Sequence, residues 1–435
     1  MEKRSHILRR ILVIVILSVM ALPILQDKFF HLPFPPLKGA IVKLKEPTFT
    51  FSKWFDESFQ KQRDKYNTQT FGYHDILVRI YHQFLYNFYR KAGAKYVVIG
   101  KDNYLYEENY INASYGTDFI GTDSINRRME MAKYIQDTLA KLNKTFLFVF
   151  APSKASYYPE YIPDRFSRQK RITNYSQYIK TARELGIHYI DFNDYFIRQK
   201  PVSTYPLMPK YGIHWSYYGM CLAVDSMVKY IQHARNIDMP GIYWDTIFHH
   251  LAKNEDYDIG DGLNLLVPIP KDTLAYPNLL FENPQGRVKP SALIIGDSFY
   301  FVMYGVGSKL FKHSQFWYYN KEVYSMGSET RNISDIDLKR ELRKHDIIII
   351  MGAEATLPNL GWGFIENSYR LYHDHFYIPG RDSIFNARVN KLVRYIRTDK
   401  EWMKRIAQKA SDRSISKDSM LRMDAVYEVD LEENK

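Results

Sequence analysis

The chain reads as an α/β protein built on a doubly wound, mostly parallel sheet flanked by helices. Three observations predict this. From Asp123 onward, amphipathic helical runs alternate with short apolar runs, the pattern of repeated strand–helix units. Two of the apolar runs, Thr145–Phe150 and Ala292–Ile295, are unbroken, as strands buried on both faces require. The second stops abruptly at Gly296-Asp297-Ser298, a strand-to-turn junction that lifts one hydroxyl off the carboxyl end of a sheet, where open α/β folds bind their ligands.

At the amino end, Lys3-Arg4 and Arg9-Arg10 precede the apolar run Ile11–Leu25, which predicts an exported chain held by a signal anchor over residues 1–30. The run is shorter than the ~20 residues of a comfortable membrane span. No small-residue cleavage site follows it convincingly, so an uncleaved, single-pass anchor is preferred to a cleaved signal, with the basic flank inside and the remainder outside. Prolines 33, 35, 36 and 47 make His31–Pro47 an irregular connector. Phe49–Arg90 then reads as helical, with Leu77, Tyr81, Phe84, Leu85 and Phe88 as a core-facing stripe, completing a connector and helical region over 31–90.

The main α/β domain is expected over 91–384. It opens on a hairpin, Tyr96–Ile99 and Tyr104–Tyr106, turned at Asp102-Asn103, since both residue types tolerate positive backbone angles. Asp123-Ser124 caps a helix carrying Ile125, Met129, Ile135, Leu139 and Leu142. The strand Thr145–Phe150, a helix Tyr175–Leu185 ended by Gly186, and the strand His188–Asp191 follow. Ser216 is a natural cap for the helix Tyr217–Arg235, with Met220, Val224, Met227, Val228 and Ile231 on one face. Asn236–Lys289 reads as an irregular insertion that roofs the cleft; its acidic run Asp256–Gly262 lacks the spacing of a calcium loop. Gln315–Tyr319 and Asp346–Met351 are further strands, and 385–435 a helical tail that is amphipathic and basic from Phe385 to Lys409.

A serine attacks nothing at neutral pH without a base. His214, in Tyr211-Gly-Ile-His-Trp-Ser-Tyr-Tyr-Gly219, sits on a loop just before a helix and is the candidate partner of Ser298. Loops leaving strand ends supply the remaining candidates. Lys154 and Tyr158 lie in the Ala151–Glu160 loop, where Lys154 either favours an oxyanion or a substrate carboxylate, or is simply solvated or paired with Glu160. Glu354 follows the strand ending at Met351, and is either a supporting residue of the site or a helix cap. Asp297 is grouped with these substrate and oxyanion candidates. Cys221, the single cysteine, lies on the apolar helix as a packing residue and excludes an intramolecular disulfide.

These blocks together resemble the alginate O-acetyltransferase branch of the SGNH hydrolase-like superfamily. Gly296-Asp297-Ser298 is similar to its nucleophile block. The order of His214 before Ser298, in an H-W-S setting, is similar to its D-x-H-W followed by G-D-S. Gly100-Lys-Asp-Asn-Tyr-Leu-Tyr106 resembles its G-K-D-G-W-L-F segment, and Ala151–Glu160 its P-x-K-x-x-x-Y-P-E segment. Trp402 through Lys409-Ala410 to Asp424-Ala425 resembles the tail of bacterial members. One position departs: Gly212 stands where the family has aspartate. The orienting group for His214 is then absent, leaving a dyad, or comes from Asp191, Asp194 or the Tyr211 hydroxyl. Loss of an orienter lowers turnover by up to about four orders of magnitude, so a noncatalytic descendant stays among the readings.

The resemblance implies an extracytoplasmic acyltransferase at the inner membrane. Ser298 takes the acetyl group, His214 relays the proton, and the Ser298 amide with neighbouring donors holds the oxyanion. The acceptor would be a cell-surface polysaccharide and the acetyl supply a membrane-bound O-acyltransferase. A carbohydrate acetylesterase, or a scaffold or sugar-binding subunit of a polysaccharide export assembly, are the alternatives. The net charge of +12 is spread among 48 acidic residues with no nucleic-acid motif, which suits anionic lipid or acidic polysaccharide and excludes nucleic acid as partner. No cofactor or metal motif is present, and the 36 tyrosines offer rings for sugars as well as for packing.

Overall fold

The computed structural model describes residues 2–26, 29, 34–39, 44–373, 383–412 and 415–433. The chain divides into two compact units: Met1–Glu108 with Lys210–Ile213 and Ala252–Asp272, and Asn109–Pro209 with His214–Leu251 and Thr273–Lys435.

The first unit begins with α1 (Glu2–Leu25), whose apolar side chains from Ile11 to Leu22 are exposed. Among the described residues no helix is long and apolar enough to cross a membrane, so the anchor expected over 1–30 gains no support here. The expected helical run from Phe49 to Arg90 is three helices, α2 (Phe51–Phe55), α3 (Ser58–Thr70) and α4 (His74–Tyr89), broken by the left-handed residues Glu57 and Tyr73. At the second break Gly72 lies against the Pro23 carbonyl, where any side chain would collide. The α4 stripe is not a core: Tyr81 is 59% and Phe88 73% exposed. The hairpin forms as expected from β1 (Val97–Ile99) and β2 (Leu105–Glu107), with Asp102 at φ 51° and Asn103 at φ 63°.

In the second unit, α5 (Glu108–Tyr115) and α6 (Thr122–Lys141) lead to β3 (Thr145–Ala151), α7 (Lys154–Tyr157), α8 (Asn174–Leu185), β4 (Tyr189–Asp191), α9 (Phe192–Gln199) and α10 (Tyr217–Arg235). Gly186 closes α8 in the left-handed conformation, and the Ser216 hydroxyl caps α10 by accepting from the Gly219 amide. The expected irregular insertion instead contains an antiparallel ribbon, β5 (Ile242–Leu251) and β6 (Thr273–Phe281), with α11 (Asp258–Gly262) of the first unit between them in sequence. Proline at 277 argues against a strand, but it stands opposite Ile247 where the register has just shifted, a place a ladder tolerates it.

The chain then runs through β7 (Ala292–Gly296), α12 (Phe299–Leu310), β8 (Ser314–Tyr318), β9 (Glu322–Ser325), β10 (Arg331–Asn332), α13 (Leu338–Lys344), β11 (Ile347–Ala353) and α14 (Phe364–His373). Among the described residues seven strands form one sheet in the order β10-β9-β8-β7-β11-β3-β4. From β8 to β4 all pairs are parallel; β9 and β10 add antiparallel edges, so the sheet is mixed. Its core joins Ile125, Met129, Ile135 and Leu139 of α6 to Phe146, Phe148 and Phe150 of β3, Leu293 and Ile295 of β7, and Ile348 and Ile350 of β11. Each such side chain contributes about 1.5–3 kcal/mol on burial. The tail is three helices, α15 (Ser383–Thr398), α16 (Lys400–Asp412) and α17 (Lys417–Glu433), around Ile396, Ile406, Leu421 and Val426. The buried Asp424 accepts from Trp402 Nε1 at 2.7 Å and pairs with Lys409 at 2.6 Å, joining the segments of the tail resemblance.

At the amino end of the sheet, Asp346 accepts from Ser291 N (2.8 Å) and Ser291 Oγ (2.7 Å), which locks β7 to β11. Arg235 Nη1 donates to Thr145 Oγ1 and to the Asp346 carbonyl, and Lys144 Nζ to the His345 carbonyl. Burial holds the His345 imidazole below its ordinary titration range, despite its bond to the Glu341 carbonyl. A base whose folded pKa is depressed contributes stability above the unfolded value of ~6.5 and loses it as pH falls. Melting temperature is therefore expected to drop between pH 7 and pH 5, and His345→Gln to show a shallower drop; equal slopes would contradict the linkage.

Candidate active site

The turn that carries Ser298, the candidate nucleophile, is set by three residues. Gly296, at the end of β7, is tightly packed: a Cβ there would sit 3.2 Å from the Met351 carbonyl, so β11 would have to give by a few tenths of an ångström. Asp297 is buried, and its carboxylate accepts from Phe299 N (3.1 Å), Ala353 N (2.8 Å) and Thr356 Oγ1 (2.8 Å). It thereby ties the turn after β7 to the turn after β11. Burial raises its pKa, opposed by those hydrogen bonds and by the field of His214. Ser298 occupies the cap position of α12, so its hydroxyl stands at the amino end of that helix, where partial positive charge favours developing anions.

His214 precedes α10 in the same unit, and its Nε2 lies 2.9 Å from Ser298 Oγ. With Nε2 accepting from the hydroxyl, the neutral ring carries its proton on Nδ1. The ring is buried and packs edge-on against Phe299 at 4.9 Å, while Trp215 packs on Phe299 at 5.5 Å from the other neighbour of the loop. The two residues come from positions 84 apart in sequence, and the fold brings them to hydrogen-bond distance at the carboxyl end of the sheet.

The other candidates are placed differently. Asp191 accepts from the Tyr175 hydroxyl (2.8 and 2.9 Å) and from Asp194 N (3.0 Å), so it caps α9. Asp194 is exposed and pairs with Arg198 at 2.7 Å. The Tyr211 ring lies in the first unit, edge-on to Tyr257 at 5.7 Å, its hydroxyl pushed up to about 12 by burial and the nearby Asp272 charge. Lys154 is fully buried at the start of α7, neither solvated nor bound to Glu160, which pairs with Lys200 at 2.6 Å. Tyr158 donates to the Met208 carbonyl at 3.2 Å. Glu354, buried, accepts from Ser156 Oγ (2.7 Å) and Asn193 Nδ2 (2.8 Å), and Asn193 Oδ1 in turn accepts from Ser153 N (2.9 Å). Glu354 thus staples the loops leaving β3, β4 and β11 to one another and caps no helix. Burial raises its pKa, the hydrogen bonds from Ser156 and Asn193 opposing. Thr356, Ser156 and Asn193 escaped sequence reading, because their partners become neighbours only once β11 lies between β7 and β3.

Residues 97–240 match the family model of an SGNH hydrolase-like domain, that of the acetyltransferase AlgX, a span that includes His214. Among solved structures the chain is similar to the O-acetyltransferase domain of Pseudomonas putida AlgJ, at 14% identity and TM-score 0.42, covering 63% of this chain and 99% of that one. It is similar to Bacillus cereus PatB1 at 13% identity and TM-score 0.40, covering 60% of this chain and 96% of that one. For Pseudomonas aeruginosa AlgX the values are 14% and 0.41, over 63% and 68%. Comparison with curated proteins gives no match. The resemblance to SGNH hydrolase-like acetyltransferases read from the motifs is supported over residues 97–240 by the family model.

Asp297→Ala removes the acceptor of three donors, two of them buried amides, and is expected to lower stability in denaturant melts by about 1–3 kcal/mol. It should also slow labelling of Ser298 by a fluorophosphonate. Ser298→Ala should abolish labelling with stability within ~0.5 kcal/mol of the parent. An Asp297→Ala protein as stable and as quickly labelled as the parent would contradict the positioning role.

Proposed function

We propose that this SGNH hydrolase-like chain is an extracytoplasmic O-acetyltransferase that acts on a cell-surface polysaccharide through an acyl-serine. The observation that carries the reading is the 2.9 Å contact of His214 Nε2 with Ser298 Oγ at the amino end of α12. The match to the acetyltransferase family model over 97–240 supports it.

In the first half-reaction Ser298 Oγ attacks the acetyl carbonyl while its proton passes to His214 Nε2. The carbonyl oxygen gathers negative charge facing the Ser298 amide and the α12 terminus, where one such donor is worth about 3 kcal/mol of barrier. The C–O bond to the donor breaks, and the leaving oxygen takes the proton back from His214. In the second half-reaction a sugar hydroxyl gives its proton to His214 and attacks the acyl-serine, and Ser298 Oγ leaves with that proton. Asp297 favours the transient imidazolium, since its charge and that of His214 attract. The basic and apolar leader is the basis for export to the outer side of the inner membrane, and a membrane-bound O-acyltransferase is the partner that would supply acetyl. Gly212, in place of the family's aspartate, favours the noncatalytic reading; the Ser298–His214 contact argues for chemistry.

Purified protein is expected to release acetate from an activated acetyl ester, and to move acetyl to an added oligosaccharide. Ser298→Ala and His214→Ala should each lower the rate by at least about a thousandfold. Acetate release that oligosaccharide leaves unchanged, with no acetylated sugar by mass spectrometry, would make the protein an esterase. No release by the parent would favour the scaffold.

A further inference from the structure

The β5–β6 ribbon lies outside the central sheet, and in sequence it is tethered between the helix that follows His214 and the strand that precedes Ser298. Its base is closed by Gly241 and Glu282, each amide bonded to the other residue, and one side of it lies along α10. A two-stranded ribbon is marginal on its own terms, and this one buries Ile242, Leu274, Ala275 and Tyr276. Yet it presents aromatic side chains outward: Phe248 is 49% exposed, and His249 and His250 are exposed.

Four rings form a continuous row. Tyr217, the first residue of α10 and three positions past His214, lies 5.7 Å from Tyr276 on β6. Tyr276 lies 6.1 Å from His250, and His250 stacks on Phe248 at 6.1 Å with 30° between the planes. The row therefore leads from Tyr217, at the start of the helix that follows His214, through the buried Tyr276 out to the exposed rings of His250 and Phe248. Such rings offer apolar faces with polar edges between them, and the exposed end of the row is made of rings, with no lysine or arginine among the four.

The geometry points to this row as the platform on which the acceptor glycan lies, its pyranose C–H faces stacking on His250 and Phe248 while a hydroxyl of the chain reaches the acyl group on Ser298. This rests on the acyl-serine reading above and adds the acceptor's track and its mode of recognition: stacking, with little dependence on charge. Aromatic contacts of this kind carry enough energy for two of them to change affinity about tenfold.

The test uses the full chain carrying Ser298→Ala, so that glycan binding is read without turnover and failure of the acyl chemistry leaves the readout intact. Affinity electrophoresis is run in gels containing hydroxyethyl cellulose, a neutral polymer, or alginate, an acidic one. Retardation by at least one polymer is expected, weakened about tenfold by Phe248→Ala with His250→Ala and restored by Phe248→Tyr with His250 intact. It should persist from about 0.01 M to 1 M sodium chloride, over which the screening length falls from ~30 to ~3 Å. Melting curves check that the variants are folded. Retardation equal in parent and double variant, retardation abolished by salt, or none with either polymer would overturn the proposal. So would a dimer that the double variant dissolves, since the row would then face a second copy.

Discussion

The buried carboxylate of Asp297 is the constraint on which the site depends. Its three hydrogen bonds define where β7 stops, where α12 begins and how both sit against the turn after β11. Ser298 inherits its position from that lock, and the 2.9 Å approach of His214 has meaning only because the turn cannot drift. Burying a carboxylate is costly without partners, and here each partner is a fixed amide or a hydroxyl of the same sheet end. The charge that holds the turn also interacts with the His214 imidazole, which the proposed reaction makes cationic, so one residue serves geometry and electrostatics together.

The two ends of the sheet divide the labour. At the amino end, Ser291, Asp346, Arg235 and Lys144 fasten β3, β7 and β11 through backbone and carboxylate contacts. Burial would lift the Asp346 carboxyl, but Ser291's hydrogen bonds and the nearby cations hold it below the ordinary range. At the carboxyl end, Glu354 and Asn193 brace the loops with bonds among side chains and amides, around the Ser298–His214 pair to which the proposed chemistry is assigned. Stability at one end and chemistry at the other is the arrangement expected of parallel sheets with variable loops.

Much of this was legible in the residues themselves. Unbroken apolar runs at 145–150 and 292–295 are strands, Ser216 and Gly186 mark helix ends where expected, and Asp102-Asn103 turns the hairpin. What escaped depended on distance in sequence. The ribbon was hidden by Pro277 and by histidines where a strand pattern wants apolar residues, and its pairing is set by the register shift near Trp244. The α4 stripe has helical spacing but lies exposed, because periodicity reports a shared face and not what covers it. The loop position of Lys154 leaves open an oxyanion or substrate-carboxylate role as well as a solvated or Glu160-paired one, and its full burial removes the solvated reading. Asp191 and Asp194, plausible orienters by proximity to a strand end, are engaged with Tyr175 and Arg198.

The central claim is that Ser298 carries the acyl group in transit. Protein mixed with an activated acetyl ester, quenched in acid within the first turnover and digested, can be read by mass spectrometry for the peptide that gains acetyl. The account predicts acetyl on the Ser298 peptide, formed before free acetate or acetylated sugar accumulates and discharged when oligosaccharide is added. Acetyl found only on lysines or on another hydroxyl, with the Ser298 peptide unmodified throughout turnover, would contradict it.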